Sequence, residues 1–223
     1  MDKQLLKQTA IRFGIGVLAV MLVLFLPAGS LRYAGGWRFL CVLFLPMLIV
    51  GVLLLKKNPE LLKKRLENKE QDKTQKAVIA LTAVLFLAGF VTAGLDFRFG
   101  WLQLPRFISR IASGIFLGGY AMYAEVLREN AYAARTIRVQ EGQKVIDKGL
   151  YGIVRHPMYT AAILMFAMTP LVLGSLIALP VFLIYPALLV KRIGNEEKLL
   201  SESLAGYPEY CKKVRYRLFP KVW

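Results

Sequence analysis

Six apolar runs, at residues 13–28, 37–55, 77–95, 107–127, 158–173 and 176–190, leave this 223-residue chain little choice but a lipid bilayer. At about 1.5 Å of rise per helical residue, the first four cross or nearly cross a hydrocarbon core about 30 Å thick. The last two are shorter and only Gly174 and Ser175 separate them, so they read as a tight helical hairpin. Pro170, Pro180 and Pro186 fall in that hairpin, where neighbouring helices can satisfy the backbone groups that a proline frees. Composition agrees, with 57% hydrophobic residues and a mean hydropathy of +0.50. The expected fold is all-α and integral to the membrane, with about six transmembrane helices, the last two a hairpin.

A formal charge of +16 raises the question of nucleic acid, and the position of the basic residues answers it. Outside Arg32, Arg38, Arg98, Arg106 and Arg110, every Lys and Arg lies in the N-terminal tail, the 56–76 loop, the 128–158 segment or the C-terminal region. With six crossings these stretches share one side, which the positive-inside rule makes cytoplasmic, together with both termini. Attraction to anionic membrane lipid then accounts for the charge. The basic runs are not interleaved with aromatic residues as a base-stacking surface requires, so no nucleic-acid partner is expected.

Lys3, Lys7 and Arg12 before an apolar run and "PAGS" also fit a cleaved leader, but the run is long for one and a retained first span fits the charge equally well. Cys41 and Cys211 fall in the second span and the C-terminal tail and are not expected to pair. With one histidine and no Cys or His cluster, no metal site is expected.

Polarity divides the chain into a transmembrane scaffold, 1–124, and a second half, 125–223. In the scaffold, Asn58 and Pro59 open a helix of about residues 58–70 with Leu61, Leu62 and Leu66 on one face, which reads as an interfacial helix on lipid headgroups. In the second half, Arg128 to Arg155 is polar but dotted with Tyr132, Ile137, Val139, Val145, Ile146, Leu150 and Tyr151, the pattern of a folded cytoplasmic cap. After the hairpin, Glu196, Glu197, Leu199, Leu200 and Leu204 suggest a short amphipathic helix ending near Gly206.

The only histidine lies in "GLYGIVRHPMYTAAI", residues 149–163, where the cap meets the fifth apolar run. Pro157 suits the first helical turn, which puts His156 at the N-terminal mouth of that helix. Free amides and the positive dipole end make this an anion site, strengthened by Arg155. Across the hairpin, Arg192 and Glu196 share a helix face if the helix continues through Gly194. Taken singly, these are an ordinary ion pair, a headgroup-bound histidine and belt tyrosines. Placed together at a membrane boundary, they point to a site.

"GLYGIVRHPMY" resembles the G-x-Y-x-x-x-R-H-P-x-Y signature of the isoprenylcysteine carboxyl methyltransferases and related phospholipid methyltransferases. "RIGNEEKLL" followed by "YPEYCKKVRYRLFP" resembles their R-x-x-x-E-E, Y-x-x-Y and basic tail, so the likeness covers about residues 125–223. "NPELLKKRL" is a weaker echo of bacterial members, which implies a bacterial inner membrane. The resemblance implies S-adenosylmethionine as cofactor, bound by the C-terminal half at Gln143, Lys144, Val145, Ile146, Tyr151, His156, Pro157, Met158, Tyr159 and Glu196. It makes Arg192 the residue that positions the acceptor, with Arg155 and Tyr159 beside it. Gln143 departs from a frequent histidine, and Ala161 from a usual glycine.

The implied reaction is methyl transfer to a lipid-like or prenylated acceptor, foremost the carboxylate of a prenylcysteine-like substrate. The alternatives are N-methylation of a phospholipid headgroup, an NADPH-dependent sterol-type reductase and a non-enzymatic scaffold. No dedicated base stands out among the residues, which favours oxygen as the nucleophile.

Overall fold

The computed structural model describes residues 2–67 and 73–223 and is all-helical. Among these residues the helices are α1 (Lys3–Ala28), α2 (Ala34–Lys57), α3 (Pro59–Leu66), α4 (Lys73–Phe99), α5 (Arg106–Glu129), α6 (Pro157–Leu173), α7 (Leu179–Phe182), α8 (Tyr185–Ser203) and α9 (Tyr207–Lys213). A 3-10 turn covers Gly149–Gly152. The described residues form no strand, only an isolated antiparallel bridge between Gln103 and Ser175.

Helices α1, α2 and α4 are long and apolar enough to cross a membrane. On α1 the exposed Ile11, Ile15, Leu18, Leu22 and Leu26 recur every three or four residues, one stripe facing outward. Leu24, Phe25 and Ala28 turn the other way into a core shared with Phe39, Phe116, Val172 and Phe182. Asp2 starts α1 by accepting from the Gln4 and Leu5 amides at 3.0 and 3.2 Å, and Gly29 ends it at φ +64°.

Close approaches hold the bundle. A Cβ on Gly119 would stand 3.0 Å from Met165 Cγ, so α5 and α6 meet where a side chain is missing. Gly35 of α2 is tighter, since a Cβ there would overlap the Leu173 carbonyl and the Tyr33 ring. Gly35→Ala is expected to lower stability by about 1–3 kcal/mol, because backbone rather than a flexible side chain must give way. An unfolding midpoint in detergent equal to that of the parent would refute this.

Two expectations about the C-terminal helices are corrected. The sixth apolar run is not one helix: Pro180 and Pro186 each sit in the first turn of a new one, α7 and α8, where the missing amide costs no intrahelical bond. Helix α8 then runs unbroken through Gly194 to Ser203, and a separate α9 follows, in place of one short amphipathic helix ending near Gly206. Helix α3 covers Pro59–Leu66. Asn58 caps it as expected, accepting from the Leu61 amide at 3.1 Å. Leu61 and Leu62 are buried, with Leu61 packing with Leu127 and Ala133, while Leu66 is half-buried. The expected end of this helix, residues 68–70, lies outside the described residues.

Candidate functional site

The polar cluster of the second half gathers where α6 begins and α8 passes. Pro157 opens α6, and Thr160 Oγ1 donates to the Leu218 carbonyl at 2.8 Å. The Arg155 and His156 amides donate to the carbonyls of Tyr216 and Arg217, each at 2.9 Å. Residues 214–218 therefore strap the mouth of α6 and occupy amides that the sequence offers to an anion. The side chains point elsewhere. Glu197 of α8 accepts from Arg155 Nε at 2.7 Å and His156 Nε2 at 3.1 Å through one oxygen, and from Arg217 Nε at 2.8 Å through the other. Burial works against the charge on Glu197, but the His156 hydrogen bond and the flanking guanidiniums outweigh it and bring the carboxyl down to about 2.

One residue earlier, Glu196 points about 100° away around the helix. It accepts from the Tyr159 hydroxyl at 2.5 Å, and that hydroxyl accepts from Arg192 Nε at 2.9 Å. Arg192 also donates to Gln75 Oε1 at 3.2 Å and to the Arg135 carbonyl at 3.0 Å, which ties α8 to α4 and to the loop after α5. The His156 and Tyr159 rings stack at 5.6 Å.

These groups line a polar cavity of about 120 Å³. Gln143, Lys144, Val145 and Ile146 enter its wall from the loop after α5, Tyr151 from the 3-10 turn. Arg155, His156, Met158 and Tyr159 enter from the start of α6, Arg192 and Glu196 from α8. Of the residues expected to form the site, Pro157 alone stays out of the wall, buried as the first residue of α6. Gln143 spends its side-chain carbonyl locally, accepting from the Gln140 amide at 2.9 Å. Tyr151 accepts from Asn130 Nδ2 at 2.8 Å, and burial pushes its phenol up to about 12.

Further residues of the wall escaped sequence reasoning. Thr136 Oγ1 and the Tyr207 hydroxyl are buried there without a hydrogen-bond partner. Burial raises the Tyr207 phenol well above its ordinary range, so it stays a neutral donor at pH 7. Tyr210, also in the wall, donates to the Tyr151 carbonyl at 2.7 Å. The Y-x-x-Y spacing was the available signal for the two tyrosines; nothing local distinguishes Thr136.

A second, apolar cavity of about 480 Å³ lies on the other side of Tyr159. Val78 and Phe86 of α4, Phe116 and Tyr120 of α5, and Met165 and Phe166 of α6 line it. Ala134, Arg135, Met158, Tyr159 and Arg192 belong to both cavities and form the partition between them. A polar molecule in one and an apolar chain in the other would meet at Tyr159 and Arg192.

Comparison with known proteins follows the same division. Residues 107–202 match the model of the isoprenylcysteine carboxyl methyltransferase (ICMT) family. A delta(14)-sterol reductase of Mus musculus is 36% identical over 91 residues, which cover 40% of this chain and only 22% of the reductase. Over Phe107 to Glu202, less than half of the chain but the stretch that supplies most of the partition and of the polar wall, the chain resembles the isoprenylcysteine carboxyl methyltransferase family; the match includes GLYGIVRHPMY and RIGNEEKLL and stops before YPEYCKKVRYRLFP.

Proposed function

We propose that the protein is an S-adenosylmethionine-dependent methyltransferase that acts at the membrane on a lipid-like acceptor, by carboxyl O-methylation of a prenylcysteine-like substrate. The shared partition carries this reading, because a soluble donor and an apolar acceptor need separate entrances and one meeting point. The donor fits the polar cavity by its chemistry. Thr136 and Tyr207 present buried hydroxyls that still lack a partner, Glu196 can accept from ribose hydroxyls, and Lys144 and Arg155 offer positive charge to a carboxylate. The aromatic faces of His156 and Tyr159 suit a neighbouring cation.

When bound, the cofactor supplies an electrophilic methyl group on a sulfonium. The protein aligns the reactants and excludes water, which is the role of Met158 and Tyr159 in the partition. Arg192 holds the acceptor carboxylate, ionised at pH 7 and therefore in need of no base. In this reading the chain makes six crossings with both termini cytoplasmic. The 125–223 half carries the donor site as a cytoplasmic cap, and the 1–124 scaffold closes the acceptor cavity, in a bacterial inner membrane.

Calorimetry on the protein in nanodiscs tests the donor. S-adenosylmethionine is expected to bind, and Glu196→Ala to weaken it about tenfold or more, since a charge-assisted hydrogen bond contributes about 1.5–3 kcal/mol. His156→Ala is expected to act in the same direction. Absence of binding to the unaltered protein would overturn the proposal. The sterol reductase match favours one second reading, an NADPH-dependent reductase; NADPH binding in place of S-adenosylmethionine would establish it. Transferred methyl that is base-labile marks a carboxyl ester, whereas alkali-stable label in lipid marks N-methylation of a headgroup.

A further inference from the structure

Arg65 belongs to α3, outside the family segment, yet it lines the apolar cavity together with Arg135 and Arg192 of the partition. Its hydrogen bonds go to neutral groups. Nη1 donates to the Ala133 carbonyl at 2.8 Å and lies 3.7 Å from Met158 Sδ, and Nη2 donates to the Tyr123 hydroxyl. The guanidinium also sits 5.2 Å from the centre of the Tyr123 ring. Other arginines of this region differ: Arg138 bonds Glu67, while Arg155 and Arg217 bond Glu197.

A guanidinium half-buried in an apolar wall gives up hydration that neutral acceptors restore only in part. Its surroundings are cationic as well. Burial, and then the nearby charges of Arg65, Arg192 and Arg12, hold Arg135 below the ordinary arginine range. Among the described residues, the lining of the apolar cavity includes neither Asp nor Glu. An anion on the occupant of the cavity would give Arg65 the charged partner that Ala133, Met158 and Tyr123 do not supply, and an ammonium would be repelled by it.

Resting on the reading of this cavity as the acceptor site, we propose that Arg65 binds the anionic head of the acceptor. It would make the cavity selective for a long apolar chain ending in a carboxylate over the same chain ending in an ammonium. The forked donors of a guanidinium match a carboxylate, so Arg65 would approach from α3 while Arg192 approaches from α8. Part of the charge selection would then come from the N-terminal half, outside the 107–202 segment that supplies Arg135 and Arg192.

The test uses the full chain in nanodiscs at pH 7.4, with palmitate and hexadecylamine each displacing a fluorescent fatty acid. The unaltered protein is expected to prefer palmitate by about tenfold or more, the scale of one charge-assisted hydrogen bond. Arg65→Gln is expected to lower that preference about threefold or more, the remainder coming from Arg192 and Arg135, while S-adenosylmethionine affinity is unchanged. Arg65→Lys keeps part of the preference, and Tyr123→Phe, which removes one anchor of the guanidinium but leaves its charge, keeps most of it. Full preference in Arg65→Gln would overturn the proposal, as would a Tyr123→Phe loss as complete as that of Arg65→Gln, because packing of α3 would then explain both. Absence of the preference in the unaltered protein overturns it however the variants fold. Failure of the donor reading shows separately, as absent S-adenosylmethionine binding, and leaves the palmitate comparison measurable.

Discussion

Glu197→Gln is expected to lower unfolding stability by on the order of 3 kcal/mol at pH 7, and by much less near pH 2. Glu197 is the shared acceptor of Arg155, His156 and Arg217, with its side chain only 11% exposed, so neutralising it leaves positive groups without their counter-charge. Its folded carboxyl sits at about 2, depressed from the ordinary 4.5. The contribution is therefore complete above about pH 4.5 and is lost as pH falls from there towards about 2. Urea unfolding in detergent at pH 7 and pH 2.5 reads the difference. Equal destabilisation at both would show that the glutamine acts through packing and not through charge. Because the same carboxylate joins α8 to the 214–218 strap and the start of α6, the variant should also lose affinity for S-adenosylmethionine at pH 7.

Arg192→Ala is expected to lower kcat/KM for the acceptor by about 100-fold to 1000-fold, the range seen when an oriented charged donor is removed from a reacting centre. Arg192 stands in the partition, bonds Tyr159 and holds the Arg135 carbonyl, so its loss removes one donor and loosens two neighbours. Arg192→Lys restores only part of the rate, since an ammonium keeps the charge but not the fork. Affinity for S-adenosylmethionine should fall much less, through the Tyr159 link to Glu196 alone. Unchanged turnover at low acceptor concentration would remove the proposed role of Arg192.

Much of the fold was legible because its signals are local. The apolar runs, Asn58 with Pro59, Gly174 after the fifth run and Pro157 at the start of α6 each act within a turn or two of the chain. The break between α7 and α8 was missed because Pro180 and Pro186 fit equally a kinked helix and two fresh starts. The face of α3 was legible as apolar but not as buried, since periodicity says which residues share a face and not what covers it. Glu196 and Glu197 were adjacent letters with the same chemistry. Helical geometry sends them to different partners, one to Tyr159 and the other to the basic cluster.

The sequence by itself determined that the chain is helical and built for a membrane, that Arg155, His156 and Tyr159 lie at the start of the fifth apolar run, and that Arg192 and Glu196 follow the sixth. Hydropathy, helical rise and proline chemistry are properties of short stretches. Only the tertiary structure decided that residues 214–218 close the mouth of α6, that Glu197 holds that closure, and that Thr136, Tyr207 and Arg65 reach the cavities. Those contacts join segments far apart in the chain, and their geometry comes from how the helices pack, which no local pattern encodes.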